Sequence, residues 1–266
     1  MTLTALVQAF LDEVSHAHQG PLVLGVSGPQ GCGKSTLARD LTAVWQSMEK
    51  RAVTLSIDDV YLTRAEQVVL TAQHPALPYY AFRGYPGTHD VELGSSTLDA
   101  LSNLALGQSM ALPRYDKSAF GGKGDRAPRD AWPLVQGPLD LIVFEGWCLG
   151  FEPIVDEALL PAGLSVANAA LARHADWHRR LHAFVHLDAT SPEFVVRWRV
   201  QAEAERRAAG LGALTDADAE VYVRAFLPAY AAWSPPLRTR APIAGPCLRV
   251  VIGADRMPAT PRSVSA

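Results

Sequence analysis

Five short, continuous apolar runs rich in β-branched residues punctuate the chain, at 22–27, 53–57, 139–144, 183–187 and 248–252. A strand with one wet face would alternate apolar and polar positions. Continuous runs predict strands buried on both faces, as in a parallel sheet. Between them lie longer segments with helical patterning, at 35–46, 97–106, 192–209 and 216–229. At the N-terminus Leu3, Leu6, Val7, Phe10, Leu11 and Val14 make an apolar stripe, so residues 1–20 are read as a packing helix. Asp12 and Glu13 interrupt the stripe and no small-residue cleavage site follows it, which argues against a signal peptide. Strand and helix in alternation predict one doubly wound α/β domain over 1–256, a mainly parallel five-stranded sheet with helices on both faces.

Three stretches depart from that rhythm. Residues 58–138, rich in Gly, Pro and Tyr, are far longer than a βα connection, and an insertion of that size predicts a working segment. Residues 191–214 hold an Arg-rich helix that runs into Gly210 and Gly212, the makings of a mobile lid. Residues 257–266 are rich in Pro, Ser and Thr and are expected to fray.

Composition narrows the class of function. At 266 residues, 48% hydrophobic and 19% charged, the chain can bury one large core. A net charge of −3 leaves no basic excess for a nucleic-acid partner, though not excluding a local cationic pocket for a small anion. No apolar run approaches the ~18–20 residues that cross a bilayer, so no membrane association is expected. Cys32, Cys148 and Cys247 are odd in number and far apart, giving neither a disulfide framework nor a zinc spacing. The expected compartment is a reducing cytoplasm.

The most specific local signal is Gly28-Pro29-Gln30-Gly31-Cys32-Gly33-Lys34-Ser35-Thr36, a match to G-x-x-x-x-G-K-[ST]. It follows the first apolar run and opens a helix, the setting a phosphate-binding loop requires. Glycines let consecutive backbone N–H groups turn toward one anion, and the helix N-terminus adds partial positive charge. In such a loop Lys34 would reach the β- and γ-phosphates of ATP, and the Ser35 hydroxyl would hold Mg²⁺. Cys32, beside Lys34 and a helix N-terminus, is expected to have a lowered pKa, although a small residue filling a tight turn explains it as well.

Ligands of open α/β sheets gather beyond the carboxyl ends of the strands. The run at 53–57 ends in Asp58-Asp59 and the run at 139–144 in Glu145. A carboxylate at the first place can take the proton of an attacking hydroxyl, and one at the second can hold Mg²⁺ directly or through water. Of the first pair, Asp58 is the chosen base.

The string Ser56-Ile57-Asp58-Asp59-Val60-Tyr61-Leu62-Thr63 resembles the substrate-side motif of the uridine kinase and phosphoribulokinase superfamily. Further segments resemble the D-glycerate 3-kinase family: Arg83-Gly84-Tyr85-Pro86-Gly87-Thr88-His89-Asp90, and Pro113-Arg114-Tyr115-Asp116-Lys117-Ser118-Ala119-Phe120 with Gly124-Asp125-Arg126. So do Phe144-Glu145-Gly146-Trp147 with Leu149-Gly150-Phe151, Trp198-Arg199-Val200-Gln201-Ala202-Glu203, and Phe226-Leu227-Pro228-Ala229-Tyr230. The resemblance covers most of the chain, with Val60 and Phe226 standing where Phe and Tyr are usual. It implies a P-loop kinase fold that uses ATP and Mg²⁺. Asp58 would be the catalytic base, Asp90 would contact the acceptor's hydroxyls, and Arg197 and Arg199 would close on the triphosphate. The implied reaction phosphorylates the primary hydroxyl of D-glycerate to give 3-phosphoglycerate and ADP.

A glycerate site needs a cation for the carboxylate, and the insertion supplies Arg83, Arg114, Lys117 and Arg126. His89 is a candidate donor to substrate and Tyr115 a candidate wall. Two other readings stay open. One is a nucleoside or pantothenate kinase on the same scaffold, with Tyr79, Tyr80, Phe82 and Tyr85 as base-stacking walls. The other is a nucleotide-dependent switch, which would have no use for an acceptor-binding insertion.

Overall fold

The apolar runs form five neighbouring strands of a six-stranded sheet in a computed structural model that describes residues 1–191, 193–210 and 214–263. In chain order the first half comprises α1 (Leu3–Ser15), β1 (Leu22–Ser27), α2 (Lys34–Ser47), β2 (Ala52–Ser56), α3 (Arg64–Gln73), α4 (Val91–Ser102), β3 (Ser109–Ala111), β4 (Tyr115–Asp116), β5 (Asp125–Arg126) and β6 (Leu134–Gln136). There follow β7 (Leu141–Gly146), α5 (Ser165–Leu171), α6 (Ala175–His178), β8 (Ala183–Ala189), α7 (Glu193–Ala208), α8 (Asp216–Arg224), α9 (Leu227–Trp233), β9 (Cys247–Ile252) and β10 (Pro258–Ser263). The strand order is β10-β9-β8-β1-β7-β2, parallel except for β10, which runs antiparallel to β9.

Every residue of β1, β7 and β8 is buried, which is why these segments read as unbroken apolar runs. Alternate residues feed two cores. Leu22, Leu24 and Val26 pack with Leu141, Val143 and the α1 and α2 residues Val7, Leu11, Leu37 and Leu41. Val23, Ile142, Phe144 and Phe184 pack on the other face with Trp147, Trp177 and Trp233. Burying one such leucine contributes ~1.5–3 kcal/mol, so the central strands give a firm base to the loops at their carboxyl ends.

The tail differs from expectation. Instead of fraying it pairs as β10, with Thr260 opposite Val251 and Arg262 opposite Arg249, so the sheet has six strands and not five. Pro258 and Pro261 fall on an edge strand, where a missing N–H is tolerated. Residues 264–266 of the tail, Pro192, and residues 211–213 with Gly212 of the expected lid lie outside the described residues.

Helix α4 starts at Val91, six residues before the predicted 97, because the Asp90 side chain accepts the Leu93 N–H at 2.9 Å and caps it. The predicted helix at 216–229 is two helices, since Pro228 lies in the first turn of α9 and has no N–H to continue α8. The insertion is built from α3, α4 and the two-stranded pairs β3–β6 and β4–β5. Trp177 fastens it to the core, donating from Nε1 to the Val91 carbonyl at 3.1 Å. No helix among the described residues is long and apolar enough to cross a membrane.

Candidate active site

Beyond β1 the chain turns through Gly31 (φ 76°) and Gly33 (φ 101°), left-handed values that side-chain-bearing residues rarely adopt. A Cβ on Gly31 would also lie 2.7 Å from that of Trp198. Gly33 caps α2, so Lys34 and Ser35 sit in its first turn, among N–H groups with no helical partner. Lys34 is buried, and its Nζ spans the loop to donate to the Pro29 carbonyl at 2.9 Å. Cys32 departs from expectation. It is fully buried, and burial pushes its thiol up against the pull of the Lys34 ammonium.

The strand-end acids meet this loop. Ser35 donates from Oγ to Oε1 of Glu145 at 2.9 Å. Burial raises the Glu145 carboxyl's pKa against the opposing pull of Lys34, and the carboxylate of such a group gains from a nearby cation. Hydroxyl and carboxylate together fit Mg²⁺, which takes one or two protein oxygens and completes its shell with water and phosphate. Among the described residues no group of three or more His, Cys, Asp or Glu forms an all-protein cage.

Asp58 stands in a short 3₁₀ turn after β2. Its Oδ2 accepts from Lys117 Nζ at 2.5 Å and its Oδ1 from the Tyr61 hydroxyl at 2.7 Å. Burial pushes this carboxyl up, but the Lys117 ammonium and the two hydrogen bonds outweigh it and hold the group well below the usual carboxylate range. Asp59 faces elsewhere. Its Oδ2 accepts the Ser56 N–H at 3.2 Å in a capping box and pairs with Arg114 at 3.3 Å.

Of the insertion's cations, three are tied to the scaffold. Arg83 donates to the carbonyls of Gly122 at 3.0 Å and Lys123 at 2.7 Å, stapling the turn that follows Lys117. Arg114 is held by Asp59, and Arg126 by Asp90 at 2.9 Å and the Tyr61 carbonyl at 3.0 Å. Lys117 alone of the four has the proposed base as its acceptor. His89 is buried behind Tyr61, stacked on it at 4.7 Å, and burial lowers its pKa to about 4, with the Asp58 charge pulling the other way. Tyr115 packs edge-on against Tyr61 at 5.2 Å.

The two arginines of α7 part company. Arg199 faces the loop, pairs with the buried Glu203 at 2.6 Å and lies 5.0 Å from the Tyr222 ring. Arg197 is exposed.

One cleft of about 290 Å³ therefore gathers Gln30, Gly31, Lys34 and Ser35 with Asp58, Arg83, Lys117, Glu145 and Arg199. Gly28, Pro29, Cys32, Gly33 and Thr36 belong to the loop but do not line this side; Gly33 and Thr36 line a second depression on its outer face, with Glu205 and Arg256. His89, Asp90, Arg114, Tyr115, Arg126 and Arg197 lie outside the cleft's lining. Tyr61 and Tyr222 line the cleft but escaped sequence reasoning, as did Arg256 beside the loop. Tyr61 lay within a recognised motif. Nothing local marks Tyr222 or Arg256, which arrive from distant segments. The tyrosines considered as nucleoside walls are otherwise engaged: the hydroxyls of Tyr79, Tyr80 and Tyr85 donate to carbonyls of Gly163, Pro86 and Ala225.

Known proteins resemble this chain in sequence and fold. The chloroplastic D-glycerate 3-kinase of Arabidopsis thaliana is 42% identical over 227 residues, 84% of this chain; the chain spans only 50% of that protein's length. The uncharacterized kinase mug58 of Schizosaccharomyces pombe is 32% identical over 262 residues, 94% of each chain. The structure of a D-glycerate 3-kinase from Cryptococcus neoformans var. grubii matches with a TM-score of 0.86 at 28% identity, covering 98% of this chain and 97% of that one. No family model matches the chain. Phosphate loop, strand-end acids, insertion and full-length kinship agree, and the chain belongs to the D-glycerate 3-kinase family of P-loop kinases.

Proposed function

We propose that the protein transfers the γ-phosphoryl group of ATP to the primary hydroxyl of D-glycerate, giving 3-phosphoglycerate and ADP, in a reducing cytoplasm that suits its free, buried cysteines. The observation that carries this reading is the Lys117–Asp58 contact of 2.5 Å inside the cleft of the phosphate loop. It puts a cation for a small carboxylate beside a base for a hydroxyl.

At rest, Lys117 and Tyr61 keep Asp58 too acidic to accept a proton well. Bound glycerate offers Lys117 a second carboxylate. As the ammonium moves to it, burial becomes the dominant influence on Asp58 and raises its basicity. Asp58 then takes the proton of the primary hydroxyl as that oxygen attacks in line. Lys34 and Arg199 stabilise the charge spread over the transferred group's equatorial oxygens. Mg²⁺, which Ser35 and Glu145 would hold, supplies charge neutralisation at the β- and γ-phosphates when bound. Arg83, Arg114 and Arg126, with Asp90, position the insertion around the acceptor.

The test is an acceptor panel with Mg²⁺ and ATP. D-Glycerate should exceed uridine, pantothenate and glycerol in kcat/KM by ~100-fold or more, the scale of a desolvated charged contact. Glycerol keeps the hydroxyls and loses the anion, so equal turnover of glycerol would refute the carboxylate-binding role of Lys117.

A further inference from the structure

The turn between β9 and β10 reaches back to the outer side of the phosphate loop. Arg256, in that turn, donates from Nε to the Gly31 carbonyl at 2.7 Å and from Nη1 to Oε1 of Gln201 at 3.1 Å. Its guanidinium lies 5.6 Å from the Trp198 ring. Trp198 ties the same turn down, donating from Nε1 to the Ala254 carbonyl at 2.8 Å. Gln201 carries the link along α7, donating from Nε2 to Glu205 at 2.8 Å. Arg256 holds its place with a φ of 63°, a left-handed value uncommon for a residue with a long side chain. Such values persist where the surroundings over-determine them, and here the fixing contacts run to the loop and to α7.

Gly31 is the exposed point of the loop and, as a glycine, would visit both signs of φ if nothing held it. A trans peptide points its C=O and N–H in opposite directions. With the Gly31 carbonyl on Arg256, the Cys32 N–H faces the other way and donates to the Pro29 carbonyl at 3.3 Å. That oxygen is also the acceptor for Lys34. One outer bond and two inner ones therefore keep the loop in its turn, and the Lys34 bond is given up when its ammonium moves to a phosphate. We propose that Arg256 is a positioning residue of the nucleotide site: from the outer side it keeps Gly31 in its left-handed turn while Lys34, on the inner side, exchanges the Pro29 carbonyl for phosphate. A loop already ordered by the protein does not have to be ordered at the expense of nucleotide affinity. The inference depends on the loop binding phosphate and not on which acceptor is phosphorylated.

The probes are ADP and inorganic tripolyphosphate, each titrated calorimetrically with Mg²⁺ into the full chain. Arg256→Met removes the donor and should weaken ADP by ~5–30-fold, the range for fixing one residue's backbone on binding. Tripolyphosphate should weaken by the same factor, because the loop and not the nucleoside is affected. Arg256→Gln places a neutral N–H on the same carbon that bears Nε in arginine, so it keeps the bond to Gly31 and removes the charge. Its ADP affinity should stay within about twofold of the unaltered chain. Unchanged ADP affinity in Arg256→Met overturns the proposal. A loss for ADP without one for tripolyphosphate would put Arg256 on the nucleoside and overturns it too. Arg256→Gln as weak as Arg256→Met would mean that the charge meets the phosphates directly, again against positioning. A lower Tm with both affinities intact would leave the residue a structural role alone. Should Arg256→Met not fold, Arg256→Ala takes its place in the same comparison.

Discussion

Three influences decide what Asp58 can do: the Lys117 ammonium, the Tyr61 hydroxyl and burial. Asp58→Asn keeps the shape and removes proton acceptance, so kcat should fall by ~10²–10⁴, the usual contribution of a positioned base. Calorimetric ADP affinity should change only a fewfold, and an unchanged Tm would exclude a folding defect. Near-normal turnover would mean that another group is the base. Lys117→Met is expected to act on pH dependence. In the intact enzyme the Asp58 pKa is depressed, so protonation of this group does not limit kcat/KM at mildly acid pH. Without the ammonium, burial drives that pKa upward, and an acid limb should enter the kcat/KM profile at higher pH than before. A profile that keeps its shape would argue against coupling between the two residues. At this scale Lys34, Ser35, Asp58 and Glu145 were readable because motif spacing and strand ends place them. The separation of Lys117 from Arg83, Arg114 and Arg126 was not, since it depends on which carbonyls and carboxylates each cation finds in the folded insertion.

Helix α7 shows how an element divides labour. Positions two apart lie ~200° apart around an α-helix, so Arg197 and Arg199 cannot share a face. Arg199→Ala should lower kcat by ~10-fold or more as transition-state charge loses a donor. Arg197→Ala should stay within about twofold in rate and ~0.5 kcal/mol in stability, as exposed substitutions do. Because Arg199 also pairs with the buried Glu203, rates should be compared well below the unfolding transition. Equal losses in the two variants would refute the assignment. In β1, Leu24→Ala leaves a hole between sheet and helices and should cost ~2–5 kcal/mol in urea unfolding. The central strands were legible because full burial writes itself as an apolar run. Helix α3 was overlooked although Thr63 and Glu66 form a capping box at its start, a signal present in the sequence. The edge strand β10 left no such mark, since its prolines and polar residues read as loop.

The whole molecule carries a store of neutral histidines. Burial holds His89, His178 and His186 near a pKa of about 4, against about 6.5 in an unfolded chain. The unfolded state therefore binds protons first as pH falls, and stability should drop between roughly 6.5 and 4, levelling out below that window as far as these groups are concerned. Tm measured across the window should decrease toward acid. A flat curve would mean that the imidazoles are solvated in solution. Fold and reaction class were legible because a phosphate loop, a strand pattern and family segments agree along one domain. The hold of the β9–β10 turn on the loop was not, because Gly31, Gln201 and Arg256 lie far apart in sequence.

On the proposed mechanism, the Lys117–Asp58 pair would also govern what the enzyme does with ATP when no acceptor is present. Water entering the cleft brings no carboxylate, so the ammonium would stay on Asp58, the base would stay quenched and the enzyme would idle. D-Lactate keeps the carboxylate and 2-hydroxyl of glycerate and lacks only the 3-hydroxyl. It should draw Lys117 away and leave a water where the acceptor oxygen belongs. Release of inorganic phosphate from ATP should then rise several-fold at saturating D-lactate, and Lys117→Met should lose that stimulation. A compound that cannot be phosphorylated would thus make the kinase wasteful, and phosphate release indifferent to D-lactate would show that the lock does not exist.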